Sequence, residues 1–235
     1  MTATVLHPRV PPRRGAWATS WWGKAWVRAV EEAAYAEADL RAGRALARGG
    51  HVGQIATGSG RYVAAVEDRR GLWTVSGTVP VLGTPDREAL VETIAAEAGR
   101  IAALLAGELP HGLVEHAEEA GVELLPYGGE LGASCTCDHW ADPCAHALAV
   151  LQQLTWLIEA DPFVLLQLRG LERDDLLARL HARAADAPSG ASDDVDLDAG
   201  LEAALYAARL LEDLGPEAGP EASPETSPEV GPGVS

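Results

Sequence analysis

Residues 135–146, "CTCDHWADPCAH", hold every cysteine of the chain: three thiols and a histidine spaced Cys-x-Cys-x6-Cys-x-His. Three cysteines and one histidine form a recognised tetrahedral zinc set, and thiolates with imidazole favour zinc over hard, oxygen-loving ions. Isolated free cysteines are commonly buried and inert, but three within ten residues beside a histidine argue for metal binding. Cys135, Cys137, Cys144 and His146 are therefore the expected ligands, with Zn2+ as cofactor. A small hairpin, "VELLP" with "LGASCTC" around the turn "YGGE", is expected to present Cys135 and Cys137. Cys144 and His146 fall in the first turn of a helix, where free N–H groups and the helix dipole favour a thiolate. His139 is a surplus donor, expected exposed, and Trp140 is expected to pack over the thiolates.

Working outward, "CAHALAVLQQLTWLIEA" reads as the helix that follows, after Asp142 and Pro143. Asp161-Pro162 opens another over "FVLLQLR", stopped by Gly170, and "ERDDLLARLHARAA" gives one more. Upstream, "HVGQIA", "RYVAAVE" and "LWTVSGTVPVL" read as strands separated by the turns "TGSG" and "DRRG". Thr84-Pro85 starts a long helix through residue 107, with Thr84 as N-cap, and a short one follows Pro110 and ends at Gly121. Near the N-terminus, residues 17–40 have helical periodicity, with Ser20 as N-cap and Trp22 and Trp26 on the buried face. "RAGRALARGGH" reads as a Gly/Arg-rich loop.

The fold class expected is α+β: an N-terminal helix and small antiparallel sheet, then a ββα zinc-binding unit extended by helices. The corresponding divisions are a disordered basic arm at 1–16, an α+β region at 17–120, the zinc unit at 121–160 and a helical extension at 161–185. An acidic linker, an amphipathic helix and a disordered Pro/Glu tail fill 186–235.

The formal net charge of −17 is unevenly spread. Residues 1–70 carry eleven basic and six acidic side chains, whereas residues 186–235 carry one and twelve. A basic front suits an anionic partner despite the acidic mean. Arg41, Arg44 and Arg48, with Trp21, are the candidate contacts to a nucleic acid or another partner. No apolar run approaches the ~20 residues needed to span a bilayer. The start lacks a secretory h-region, so a cytoplasmic protein is expected.

The Cys135, Cys137, Cys144, His146 pattern, with "DHWADP" between and "ALAVLQQLTWLI" and "DPFVLLQLRG" after, resembles the SWIM zinc finger family. The likeness extends upstream to "TSWWGKAW", "GRALARGGHV" and "LLAGELP" in bacterial members. It implies a non-catalytic zinc module that binds nucleic acid, DNA ahead of RNA, or a protein such as a helicase-like ATPase of the Swi/Snf class. Neither a membrane nor a small-molecule substrate is implied. The chain's own nucleotide chemistry is excluded, because Gly23-Lys24 is followed by Ala25 and no P-loop exists. The rival reading is a zinc hydrolase or deaminase with catalytic metal. "HAE" at residues 116–118 and "PCAH" at 143–146 echo the His-x-Glu and Pro-Cys-x-x-Cys signature. Ala147 stands where its last cysteine belongs, and His116 as a ligand would leave Cys135 and Cys137 unexplained.

Overall fold

Alternating apolar and polar residues build a five-stranded sheet. The computed structural model describes residues 4–186. Strands β1 (Val5–His7), β2 (Val52–Gly58), β3 (Arg61–Asp68), β4 (Gly71–Thr78) and β5 (Gly132–Cys135) pair antiparallel in the order β1-β2-β3-β4-β5. Along β3, Tyr62, Ala64 and Val66 are buried while Arg61 and Val63 stay exposed, the period of two that one covered face requires. Tyr62 pairs with Gly77 on β4, where an added Cβ would lie 2.1 Å from the phenol ring. The missing side chain leaves room for that phenol, whose hydroxyl donates to Gly132 O on β5 at 3.1 Å.

The helices are α1 (Trp21–Ala33), α2 (Glu37–Arg48), α3 (Thr84–Ala95), α4 (Ala98–Leu105), α5 (His111–Glu119), α6 (Ala145–Ala160), α7 (Pro162–Leu168) and α8 (Arg173–Asp186). Twelve of the sixteen residues of α6 are buried, because it packs against α1, α2, α7 and the sheet at once. Trp22 and Trp26 of α1 are buried as expected, and their indoles donate to Ile158 O (3.2 Å) and Leu151 O (3.1 Å) of α6. Gly43 lets α2 approach closely: a Cβ there would stand 2.8 Å from Ala145 O and from Leu148 Cβ. Gln153 of α6 answers by donating to Ala47 O at 3.0 Å.

The α+β class, the three central strands and the N-caps expected at Ser20 and Asp161 hold, whereas the N-cap of α3 is Gly83 rather than Thr84. Ser20 Oγ accepts from Gly23 N, and Asp161 accepts from Phe163 N. Gly121 and Gly170 end their helices with φ of +80° and +90°, a backbone region other residues avoid.

Five expectations are corrected. Residues 4–16 are not a disordered arm. β1 occupies the open edge of β2, with His7 Nε2 2.8 Å from Thr57 Oγ1, and Arg13 N donates to Arg48 O. The Gly/Arg-rich stretch is not a loop but most of α2, since Gly43 serves helix packing rather than flexibility. The single helix expected over 17–40 breaks after Ala33 and restarts at Glu37. The long helix from Thr84 splits into α3 and α4, and the buried Arg100 bridges the break by donating to Thr93 O and Glu97. Finally, the ββα unit has one strand only: "VELLP" forms none, and β5 pairs with β4 of the N-terminal sheet. The boundary expected at residue 121 therefore disappears, and all described residues fall in one unit, Met1–Asp186. Of the linker, amphipathic helix and tail expected over 186–235, Asp186 instead ends α8 and the rest lies outside the described residues. Among those described, no helix is long and apolar enough to cross a membrane.

The α2–α6 approach yields a direct test by urea unfolding. Gly43→Ala should cost about 1–3 kcal/mol through overpacking, although alanine is the better helix former. Gly99→Ala on α4, where nothing lies within 4 Å, should instead be neutral or stabilise by up to about 1 kcal/mol. Equal gains at both positions would mean that α2 and α6 are not in this contact.

Candidate metal centre

β5 and α6 bring four donors to one point. The Sγ atoms of Cys135, Cys137 and Cys144 and one His146 ring nitrogen all lie within 4.8 Å of one another. Cys137 Sγ is 3.6 Å from Cys144 Sγ, and His146 Nδ1 is 3.8 Å from Cys135 Sγ and 3.9 Å from Cys144 Sγ. A tetrahedral zinc with bonds of about 2.3 Å to sulfur and about 2.0 Å to nitrogen spaces its ligands by roughly 3.5–3.8 Å. Donor set and spacing both fit a bound metal, consistent with zinc.

Three of the four donors have a backbone reason for their place. Cys135 ends β5 opposite Val75 of β4. The ladder runs one residue further, where Thr136 N donates to Thr74 O and Thr74 N donates to Thr136 Oγ1, both at 3.0 Å. Cys144 is the N-cap of α6 and His146 lies in its first turn. Backbone N–H groups of His146 and Ala147 reach the Cys144 sulfur, as the helix-start argument expects. Burial outweighs them, and with the neighbouring Cys137 it raises the Cys144 thiol above its ordinary value. Burial likewise pushes Cys135 up to about 12. In the metal-free fold the Cys135 and Cys144 thiols hold their protons at neutral pH, so an incoming metal must displace them.

His146 has a second partner that sequence reading missed. Its Nε2 lies 3.2 Å from Asp68 Oδ2, at the end of β3. Asp68 also accepts from Trp73 Nε1 (3.0 Å), Arg70 N (2.8 Å) and Gly71 N (3.1 Å). These bonds, the Trp73 indole's foremost, hold the Asp68 carboxyl well below the usual carboxylate range. The Trp73 ring lies 5.7 Å from that of His146. The available signal was only "EDRRG", which marks a turn and does not say which distant side chain an aspartate in it will meet.

The remaining candidates lie apart from the cluster. His139 sits on the rim with Nδ1 accepting from Ala141 N and Nε2 3.4 Å from Asp39 Oδ1. Trp140 does not shield the thiolates: it is 77% exposed and meets Tyr35, 72% exposed, edge to face at 5.0 Å. His116, on α5, contacts Arg100 and Gly112 O rather than the cysteines. Trp21 donates to Leu109 O at 3.0 Å and packs against His111. Arg44 pairs with Glu31, while Arg48 donates to Gly15 O and lies over the Trp17 ring at 4.4 Å. Arg41 stays exposed beside Glu37 at 3.8 Å. A groove of about 670 Å³ runs beside the cluster, with Leu46 and Trp73 in its walls and Arg69, Arg70, Asp39 and His139 at its margins.

Comparison with known proteins agrees with this geometry. Residues 120–154 match the family model of the SWIM zinc finger. This segment is a SWIM zinc finger. Over 182 residues the chain is 33% identical to the uncharacterized protein Rv2102 of Mycobacterium tuberculosis, a match covering 77% of this chain and 65% of that one. The chain thus spans just under two thirds of the length of that relative. No solved structure matches it. The SWIM finger here is not a free-standing unit, because its strand belongs to the sheet and its helix is α6.

That embedding limits what metal loss does. Cys144→Ser should lose the metal and the amide protection of β5 and residues 136–146. From Leu148 onward α6 should stay protected, because α1, α2 and the sheet bury it without help from the ion. Hydrogen exchange reads both regions. Protection lost along all of α6, or kept across residues 132–146, would contradict this division.

Proposed function

We propose that this protein is a non-catalytic zinc module that holds a macromolecular partner beside the metal. The closed Cys3His donor set supports a structural role: four protein ligands complete a tetrahedral ion, whereas catalytic zinc keeps a position for water. His116 and its glutamate are not beside the cysteines, which weighs against the deaminase reading.

The observation that carries the binding role is the exposed pair Trp140 and Tyr35, next to the groove. Large aromatics left that open mark interaction sites, and tryptophan and tyrosine dominate binding hot spots. A protein partner is the first reading, and a helicase-like ATPase of the Swi/Snf class is the partner that the family resemblance implies. Two of the three arginines expected to grip phosphates are instead committed to Glu31, Gly15 and Trp17. Nucleic acid is the second reading, favoured by Arg69 and Arg70 at the β3–β4 turn, both exposed beside the groove.

A pull-down from the source cell separates the readings when run with the full chain and with Trp140→Ala/Tyr35→Ala, each with and without nuclease. A protein partner kept after nuclease and lost from the double variant is the expected result. Loss on nuclease treatment alone would transfer the role to nucleic acid. A double variant that retains all its partners would remove the aromatic pair from the account.

A further inference from the structure

A metal-bound imidazole must have no proton on the nitrogen that faces the metal. In His146 that nitrogen is Nδ1, which looks at the Cys135 and Cys144 sulfurs, so the neutral ring must carry its hydrogen on Nε2. Nε2 points at Asp68 Oδ2 from 3.2 Å, the geometry in which an N–H donates to a carboxylate. The same carboxylate is fixed from its other side, because Oδ1 accepts from Arg70 N, Gly71 N and Trp73 Nε1. Those three donors anchor Asp68 to the β3–β4 turn whether or not a metal is present.

We propose that Asp68 is a positioning residue that holds His146 in the one neutral tautomer able to bind metal and so ties the metal centre to the β3–β4 hairpin. The inference rests on the metal centre described above. Its spacing from the ligand, 78 residues in sequence, puts it far outside the matched finger segment. A second His–Asp pair gives a built-in comparison. His139 Nε2 lies 3.4 Å from Asp39 Oδ1, but its Nδ1 accepts from Ala141 N rather than facing the cysteines. Asp39 therefore has a histidine partner without a metal ligand to set.

Asp68→Asn separates positioning from general stability. The carboxamide has one acceptor oxygen and one NH2 group. Three fixed N–H donors claim the oxygen, which turns the NH2 toward His146 Nε2. There it repels a ring N–H and favours the tautomer with hydrogen on Nδ1, the form that cannot bind metal. The turn keeps its acceptor, so the hairpin is retained while the ligand is set wrongly.

Zinc affinity of the full chain, read by competition with a chromophoric chelator, should fall about 10–100-fold in Asp68→Asn and stay unchanged in Asp39→Asn. A second readout needs no variant: in the zinc-loaded chain, proton–nitrogen spectra should show a slowly exchanging His146 Nε2–H. Unchanged affinity in Asp68→Asn, an equal loss in Asp39→Asn, or an absent Nε2–H would each overturn the proposal. If the unmodified chain bound no zinc at all, the metal centre itself would fail, an outcome distinct from these three.

Discussion

A helix buried on nearly every face cannot leave its ends to solvent, and α6 is such a helix. Its sides are met by α1, α2, α7 and the sheet. Its first N–H groups have no partners within the helix, and two of them reach the Cys144 sulfur. A thiolate there needs a counter-charge, which a cation held by the Cys3His set would supply. A metal held there would close the start of α6 against the end of β5.

The hairpin turn then becomes part of the centre without appearing in any zinc motif. Asp68 connects β3–β4 to His146, while Thr74 and Thr136 continue the β4–β5 ladder toward Cys137. Through these contacts the metal loop is fastened to the sheet at two points and to α6 at a third. A small finger that stood alone would draw most of its folding free energy from its ion. Here the apolar burial around α6 carries the body of the fold, and a bound ion would be left only the loop to order.

What was legible in the sequence was whatever is local. The four ligands lie within twelve residues, the caps at Ser20 and Asp161 act over two or three, and β2, β3 and β4 announce themselves by alternation. The misread parts depended on distant partners. Gly43 looked like a loop residue because its purpose, room for Leu148 and Ala145, lies a hundred residues away. "HPRVPPRRG" near the start gave no sign of the edge of β2, although Val5, Leu6 and His7 pair with it. Trp140 was expected against the thiolates, yet its ring lies out in solvent beside Tyr35. Asp68 was missed for the same reason as Gly43: an aspartate in a turn is too common to suggest a histidine 78 positions on.

An ion at the start of α6 would have a shell made entirely of protein donors. X-ray absorption at the zinc edge measures this most directly. The expected spectrum is that of four-coordinate zinc with three sulfurs at about 2.3 Å and one nitrogen at about 2.0 Å. A shell holding an additional oxygen ligand, or fewer than three sulfurs, would contradict it and reopen the case for metal chemistry.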